Sequence, residues 1–303
     1  MGYKTEVSDF RAFEYHTDFD TDKKETAIVG IKKQYQNAWV LHLPKTAYGR
    51  KVTEVVSKAF SDMPHLREIV FTDNIKKISL RSSLSSSLYK LHLPASVESF
   101  EIEWPFCQKH FAFSIDPKNP HYSTDGVCLF NQDKSVLLHI VKGIIEVDTY
   151  QIPKETKVIG GPSAFHLGGF SHNVIIPEGV EELQSQAFLY CYCKTHTIEL
   201  PKSIKKIGNH CFSNFQCFFS DIVYHGTKAE WEKVQIDEQY YHWNFDEDGL
   251  APDEQGLPVD ENGYTGVPEV DAQGEDIYFD ITVHCLDGDV PYKPSLAGSL
   301  SNG

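Results

Sequence analysis

Ile176-Pro177-Glu178-Gly179-Val180-Glu181-Glu182-Leu183 and Leu200-Pro201-Lys202-Ser203-Ile204-Lys205-Lys206-Ile207 are one phrase written twice, 24 residues apart. Each places apolar residues three and six positions after its proline, then a small residue and Phe at ten and eleven, Ala187-Phe188 and Cys211-Phe212. The phrase extends upstream. Ile152-Pro153 leads to Ile159 and, with one extra residue, to Ala164-Phe165, so three prolines stand at intervals of 24. Leu93-Pro94-Ala95-Ser96-Val97-Glu98-Ser99-Phe100 repeats its first half. Thr72 replaces the proline in Phe71-Thr72-Asp73-Asn74-Ile75-Lys76-Lys77-Ile78. Leu43-Pro44 reaches Val52, Val55 and Ala59-Phe60 once a five-residue insertion around Gly49 is allowed.

Residues before each proline alternate with period two, as in Lys90-Leu91-His92-Leu93 and Thr197-Ile198-Glu199-Leu200. That pattern is a short half-buried strand. Proline ends it because it has no N–H to continue a ladder. The next two apolar positions turn the chain over the core, and the small-Phe pair fills the far side. One unit cannot cover its own apolar face, whereas stacked copies share a core and align their strands in parallel. The competing reading is a two-layer β-sandwich with coincidental spacing. Units between Phe71 and Leu91 and after Pro94 depart from the pattern, the first serine-rich (Ser82, Ser83, Ser85, Ser86, Ser87), the second carrying Trp104-Pro105-Phe106. The regular array is therefore expected to begin near Pro153.

These motifs resemble the BspA-like (Treponema pallidum type) leucine-rich repeats, whose signature Ile204-Lys205-Lys206-Ile207-Gly208 matches closely. Ser114-Ile115-Asp116-Pro117 through Asn131 resembles the β-hairpin insertion of such arrays. Ile222-Val223-Tyr224-His225-Gly226-Thr227-Lys228-Ala229-Glu230-Trp231 is similar to the family's terminal unit, and Val283 to Asp289 to its closing strand. The resemblance covers roughly residues 10 to 290. It implies a β-rich leucine-rich-repeat solenoid of the α/β class, right-handed, with short parallel strands on one face, a hairpin insertion and capping units. The expected boundaries are 1–36 for an N-terminal hairpin cap, 37–226 for the solenoid with its insertion at about 111–147, and 227–303 for a C-terminal cap.

The caps have their own signals. Phe13-Glu14-Tyr15 and Thr26-Ala27-Ile28-Val29-Gly30-Ile31 read as a hairpin joined by the polar Asp18 to Lys24 turn. Thr227-Lys228-Ala229-Glu230 is a capping box opening a short helix, with Trp231 and Val234 facing inward. Ile277 to Val283 reads as a strand.

The net charge of −15 is unevenly spread: Val234 to Tyr292 holds 16 acidic residues and no Lys or Arg, leaving 27 acidic against 28 basic elsewhere. A general affinity for nucleic acid or anionic membrane is not expected. No run of 18 apolar residues suggests a transmembrane helix. The polar start, Met1-Gly2-Tyr3-Lys4-Thr5-Glu6, reads as lacking a signal peptide, so a cytoplasmic protein or a trimmed mature form is expected from the residues. The family resemblance implies instead a bacterial cell-surface or secreted adhesion protein.

No nucleophile elbow, phosphate-binding loop, dinucleotide fingerprint or zinc-protease helix is present, so no catalytic residues and no cofactor are expected. Seven cysteines without a CxxC pair do not read as a disulfide framework. Cys191, Cys193 and His196, and His210 beside Cys211, read as structural, not as a zinc site. The acidic stretch 246–276 is read as a surface excursion. Asp246-Glu247-Asp248-Gly249 and Asp260-Glu261-Asn262-Gly263 have oxygen ligands and glycine, yet Leu257 stands where a bidentate Glu is required, so calcium binding is a lesser alternative.

The strands carry the functional expectation. Counting two residues back from each proline position gives an outward row His42, Val70, His92, Gln151, Ile175, Glu199; beside it runs Val40, Glu68, Lys90, Thr149, Asn173, Thr197. His42, His92, Gln151, Asn173, Ile175, Thr197 and Glu199 are the candidate binding residues. Tyr190, Tyr192, Tyr240, Tyr241 and Trp243 are candidate aromatic anchors. The expected function is a non-catalytic module recognising a protein or glycan along the solenoid surface; the alternative is an intracellular interaction scaffold.

Overall fold

The computed structural model describes residues 6–16, 24–56, 59–60, 63–80, 88–102, 112–140, 151–160, 164, 169–170, 173–185, 187–188, 192–193, 197–208, 211–212, 220–237 and 281–292. The pre-proline strands pair in parallel in two front sheets. The N-terminal one runs Glu6–Val7, Val40–His42, Glu68–Val70, Lys90–Leu93, Ala112–Ile115. The C-terminal one runs Val174–Ile175, Thr197–Leu200, Asp221–Tyr224, Thr282–Cys285, and ends on the antiparallel strand Gly288–Pro291.

Period-two alternation sends one row of each sheet inward. Val7, Leu41, Ile69, Leu91 and Phe113 are paired in register and all buried, as are Val174, Ile198, Ile222 and Val283. Fully burying such side chains stabilises by about 1.5–3 kcal/mol each. The early strands keep this register although their outward residues Glu6, Val40, Glu68 and Lys90 are separated by 34, 28 and 22 positions. Length irregularity is taken up between strands, so the stack is in register well before Pro153.

The proline closes a tight turn. The amides of Val97, Thr156, Val180 and Ile204 donate to the carbonyls of Pro94, Pro153, Pro177 and Pro201, and Ile75 does the same to Thr72. This geometry explains the apolar residue three positions on: Ile75, Val97, Val180 and Ile204 are swung into the core, and Thr156 occupies the same buried place. Side chains then tie turn to turn. Asn74 donates to Lys45 O at 3.1 Å, Ser96 to Ile75 O at 2.7 Å, and Ser203 to Val180 O at 2.7 Å.

The segment after each turn forms a second layer of strands that the periodicity did not reveal. One back sheet is ordered Ser99–Ile102, Lys77–Leu80, Arg50–Val55, Glu25–Ile31, Phe13–Tyr15. The other is ordered Tyr122–Thr124, Cys128–Asn131, Val136–Ile140, Val158–Ile159, Glu182–Leu183, Lys206–Ile207, Gln235–Ile236. Several of these strands are only two residues long, too short for alternation to show. Their inward row Leu137, Ile159, Leu183, Ile207, Ile236 is buried and in register.

Phe13–Tyr15 and Glu25–Ile31 form the expected antiparallel hairpin at one end. The insertion around Gly49 is a two-residue hairpin turn, Thr46–Ala47 pairing with Arg50–Val55, and both central residues have positive φ, Tyr48 at 49° and Gly49 at 80°. At the other end, Thr227 and Glu230 make the capping box, the helix spans Lys228–Trp231, and Trp231 and Val234 are buried. Of the strand expected over 277–283, residues 277–280 lie outside the described residues, and the observed strand is Thr282–Cys285; the segment Val283 to Asp289, expected as one closing strand, instead turns back after Cys285 into the antiparallel Gly288–Pro291.

Ala112–Ile115 is a parallel member of the front sheet; the antiparallel meander comprises Tyr122–Thr124, Cys128–Asn131 and Val136–Ile140. Its middle strand separates two cores. Leu129 packs with the N-terminal core, while Cys128 and Phe130 on its opposite face belong to the C-terminal one. Among the described residues, Ala164, Ala187 and Cys211 are all fully buried, and the Phe188 and Phe212 rings lie 6.0 Å apart. The serine-rich run 82–87 and Trp104-Pro105-Phe106 lie outside the described residues.

Candidate binding face

On the N-terminal front sheet the outward rows are Glu6, Val40, Glu68, Lys90, Ala112 and, beside them, His42, Val70, His92, Ser114. Their polar members are paired among themselves. Lys90 Nζ lies 2.6 Å from Glu68 Oε1, an ion pair that raises the Lys90 ammonium above its ordinary value. His92 Nδ1 shares a hydrogen bond of 2.9 Å with Ser114 Oγ, and His42 Nε2 lies 3.8 Å from Glu6 Oε2.

The C-terminal front sheet presents Asn173, Thr197, Asp221, Thr282 and, beside them, Ile175, Glu199, Val223, His284, Asp289. Ile175 is 61% exposed, a large apolar side chain at the first strand of this sheet. Asn173 Nδ2 donates to Glu199 Oε1 at 3.1 Å, and His225 Nε2 lies 3.4 Å from Glu199 Oε2, so Glu199 is held from both sides.

His284 sits between two carboxylates, its Nε2 2.9 Å from Asp221 Oδ1 and its Nδ1 2.9 Å from Asp289 Oδ1. An ionised carboxylate only accepts, so this arrangement favours the imidazole with both ring nitrogens donating, its charged form. Asp221, then Asp289, raises the His284 pKa. Asp221 is in turn lowered by the Ser220 hydroxyl at 2.6 Å and by His284.

Of the sequence-derived candidates, His42 and His92 share one row, while Asn173, Ile175, Thr197 and Glu199 share a patch on the other sheet. Gln151 is exposed but lies on no strand, and Thr149 is outside the described residues, so neither extends a row. Counting back from proline stopped at Pro201 and missed Val223, His284 and Asp289, which continue the Ile175–Glu199 row across the cap. The signal was present in the alternation of Asp221-Ile222-Val223-Tyr224 and Thr282-Val283-His284-Cys285, but no proline indexes those strands.

Among the described residues, no three or more His, Cys, Asp or Glu side chains converge as metal ligands would. Cys128 and Cys211 are fully buried, and burial raises the Cys285 thiol. Cys191, His196, His210, Tyr190, Tyr240, Tyr241, Trp243, the side chains of Tyr192 and Cys193, and the whole acidic stretch 246–276 lie outside the described residues. No helix among the described residues is long and apolar enough to cross a membrane.

Several solved bacterial structures are similar. A leucine-rich repeat protein from Eubacterium ventriosum is 14% identical, over 72% of this chain and 81% of that one, with a TM-score of 0.38. A leucine rich cell surface protein from Faecalibacterium prausnitzii is 17% identical, over 68% and 65%, with a TM-score of 0.39. The pneumococcal vaccine antigen PcpA is 18% identical, over 68% and 64%, with a TM-score of 0.37. No curated protein matches the chain. Six copies of the BspA type leucine rich repeat region match residues 35–119 and 139–224, more than half of the sequence, and the chain belongs to that family.

Proposed function

We propose that this protein is a non-catalytic binding module that recognises a protein or glycan ligand along its front sheets, displayed at a cell surface. One observation carries the reading: stacking aligns Ile175, Glu199, Val223, His284 and Asp289 into one outward row. An exposed apolar side chain beside oriented acceptors and a charged imidazole is the mixture of chemistry that recognition surfaces use. The side chains are pre-positioned by neighbours, which reduces the ordering cost of binding. The partner follows family habit in being most simply a protein; an intracellular scaffold with the same face is the alternative.

The test is a screen of the full chain on protein and glycan arrays, followed by Ile175→Ala, Glu199→Gln and His92→Ala. A ligand of the face loses at least tenfold in affinity with one or more of these. A ligand that tolerates all three sinks the proposed face. A sorting or export sequence in the complete gene product separates surface display from the scaffold alternative.

A further inference from the structure

The residue immediately before each N-terminal front strand lies outside the rows described above. In three consecutive turns it is Trp39, Arg67 and Tyr89. Main-chain bonds hold them one above another. Arg67 N donates to Trp39 O at 2.7 Å, Tyr89 N to Arg67 O at 3.0 Å, and Ala112 N to Tyr89 O at 2.7 Å. The column therefore repeats at strand spacing, about 4.8 Å per turn, which sets Trp39 and Tyr89 about 10 Å apart along the solenoid.

All three side chains are exposed, Trp39 at 41% and Tyr89 at 42%. The Arg67 guanidinium carbon lies 4.0 Å from the centroid of the Trp39 ring. That cation–π contact restrains the Arg67 side chain while its N–H donors keep their capacity for two parallel hydrogen bonds. The neighbouring cation Lys90 is already taken by Glu68 at 2.6 Å. Among the described residues, no carboxylate lies within ion-pair distance of Arg67.

We propose that Trp39, Arg67 and Tyr89 anchor an acidic, extended segment of a partner protein, with Arg67 taking a carboxylate between the two aromatic side chains. The inference rests on the binding-module reading and adds the chemistry of the partner. An extended segment rises about 3.3 Å per residue, so three to four residues span the column. Trp, Arg and Tyr are the side chains that dominate protein interfaces when their neighbours fix them. A planar, pre-oriented guanidinium pairs with a carboxylate bidentately, which a lysine in its place would not do. A pyranose needs a free aromatic face, and Arg67 covers one face of Trp39. The column is a local cationic point on a chain of net charge −15, so its pairing with a carboxylate is a short-range contact at Arg67 and not an attraction of the whole chain.

The test selects a random heptapeptide display library on the full chain, with counter-selection on the Arg67→Gln variant. The expected result is enrichment of sequences bearing Asp or Glu beside an apolar residue. Their binding should fall at least tenfold in Arg67→Gln and Trp39→Ala, fall in Arg67→Lys, weaken with added salt, and be unchanged when another exposed cation, outside both front-sheet rows, is removed in Lys154→Gln. Arg67→Gln removes only the charge and fork, so a thermal midpoint within about 2 °C of the parent confirms that folding is intact. No enrichment, enrichment without carboxylates, or peptides insensitive to Arg67 overturns the inference. Oligogalacturonate bound more tightly than the selected peptides, and lost in Arg67→Gln, overturns the protein partner in favour of an anionic glycan. Array ligands that depend on Ile175 or Glu199 but not on Arg67 sink the column alone; a chain binding nothing on the arrays sinks the broader reading.

Discussion

Gly208 lies directly on the backbone of Ser185 in the preceding turn, so close that a Cβ on it would overlap the Ser185 amide nitrogen and sit 2.7 Å from the Gln184 carbonyl carbon. Its own amide donates to Leu183 O at 2.7 Å, and the equivalent residues Gln184 and Gly160 donate to Ile159 O and Leu137 O. The glycine of the repeat signature is there for close approach between turns, not for an unusual φ.

Gly208→Ala is therefore expected to destabilise by about 1–3 kcal/mol through forced separation of backbones. Gly160→Ala should cost less, because its tightest contact is the Gln184 amide end, which can swing away. Urea denaturation of both variants checks the order; equal losses would refute it.

The clamp on His284 makes the C-terminal cap pH-dependent. Its folded-state pKa is raised, so its contribution is fully present below the unfolded value of about 6.5 and is lost as pH rises through the folded value. Asp221 is lowered, so its contribution is present above the ordinary carboxylate range and lost as pH falls through its folded value. His284 and Asp221 are about two-fifths exposed and Asp289 more so, which limits each pair to less than about 1 kcal/mol. The protection factors of the Thr282 to Cys285 amides, with the intrinsic exchange rate at each pH divided out, should be highest near pH 5–6 and lower above neutrality, a dependence that His284→Gln removes. An unchanged profile in that variant would count against the clamp.

Thr72 stands where other units have proline, and its Oγ1 is buried without a hydrogen-bond partner among the described residues. Thr72→Val keeps the shape and removes the unmet hydroxyl. A gain of about 1 kcal/mol in thermal or urea unfolding is expected. A loss of stability would show that the hydroxyl is bonded.

Asn119 is fully buried and makes four hydrogen bonds. Its Nδ2 donates to Pro94 O and Val97 O, both at 3.0 Å, and its Oδ1 accepts from the amides of His121 and Tyr122, both at 2.8 Å. It ties the start of the meander to the turn of the preceding unit. Asn119→Ala should cost about 2–4 kcal/mol by leaving these groups unpaired. Asn119→Asp should cost more than a surface change of the same kind, since a carboxylate cannot donate to the two carbonyls. Calorimetry of the two variants beside the exposed Asn37→Asp decides the matter.

Much of the fold was legible because proline and period-two alternation act locally. Pro177 and Pro201 mark turns whose i to i+3 bonds form within four residues, and Ile198 or Leu91 turns inward because its neighbours on either side are polar. The back sheets were not legible, since Glu182–Leu183 and Lys206–Ile207 are too short to display a period and are strands only through pairing with each other. The candidate face was partly legible: His42 and His92 fall in one row as counted, and Ile175 and Glu199 in another, while Gln151 joins neither.

The chain's own sequence thus determined the inward half of the molecule, the repeat, its turns and the apolar ladders, because each is specified by residues a few positions apart. The outward half was decided by tertiary structure. His284 meets Asp221 across 63 residues and Arg67 covers Trp39 from the following turn, contacts that depend on loops of unequal length closing to one register. Burial of the apolar ladders enforces that register, and the surface chemistry follows from it.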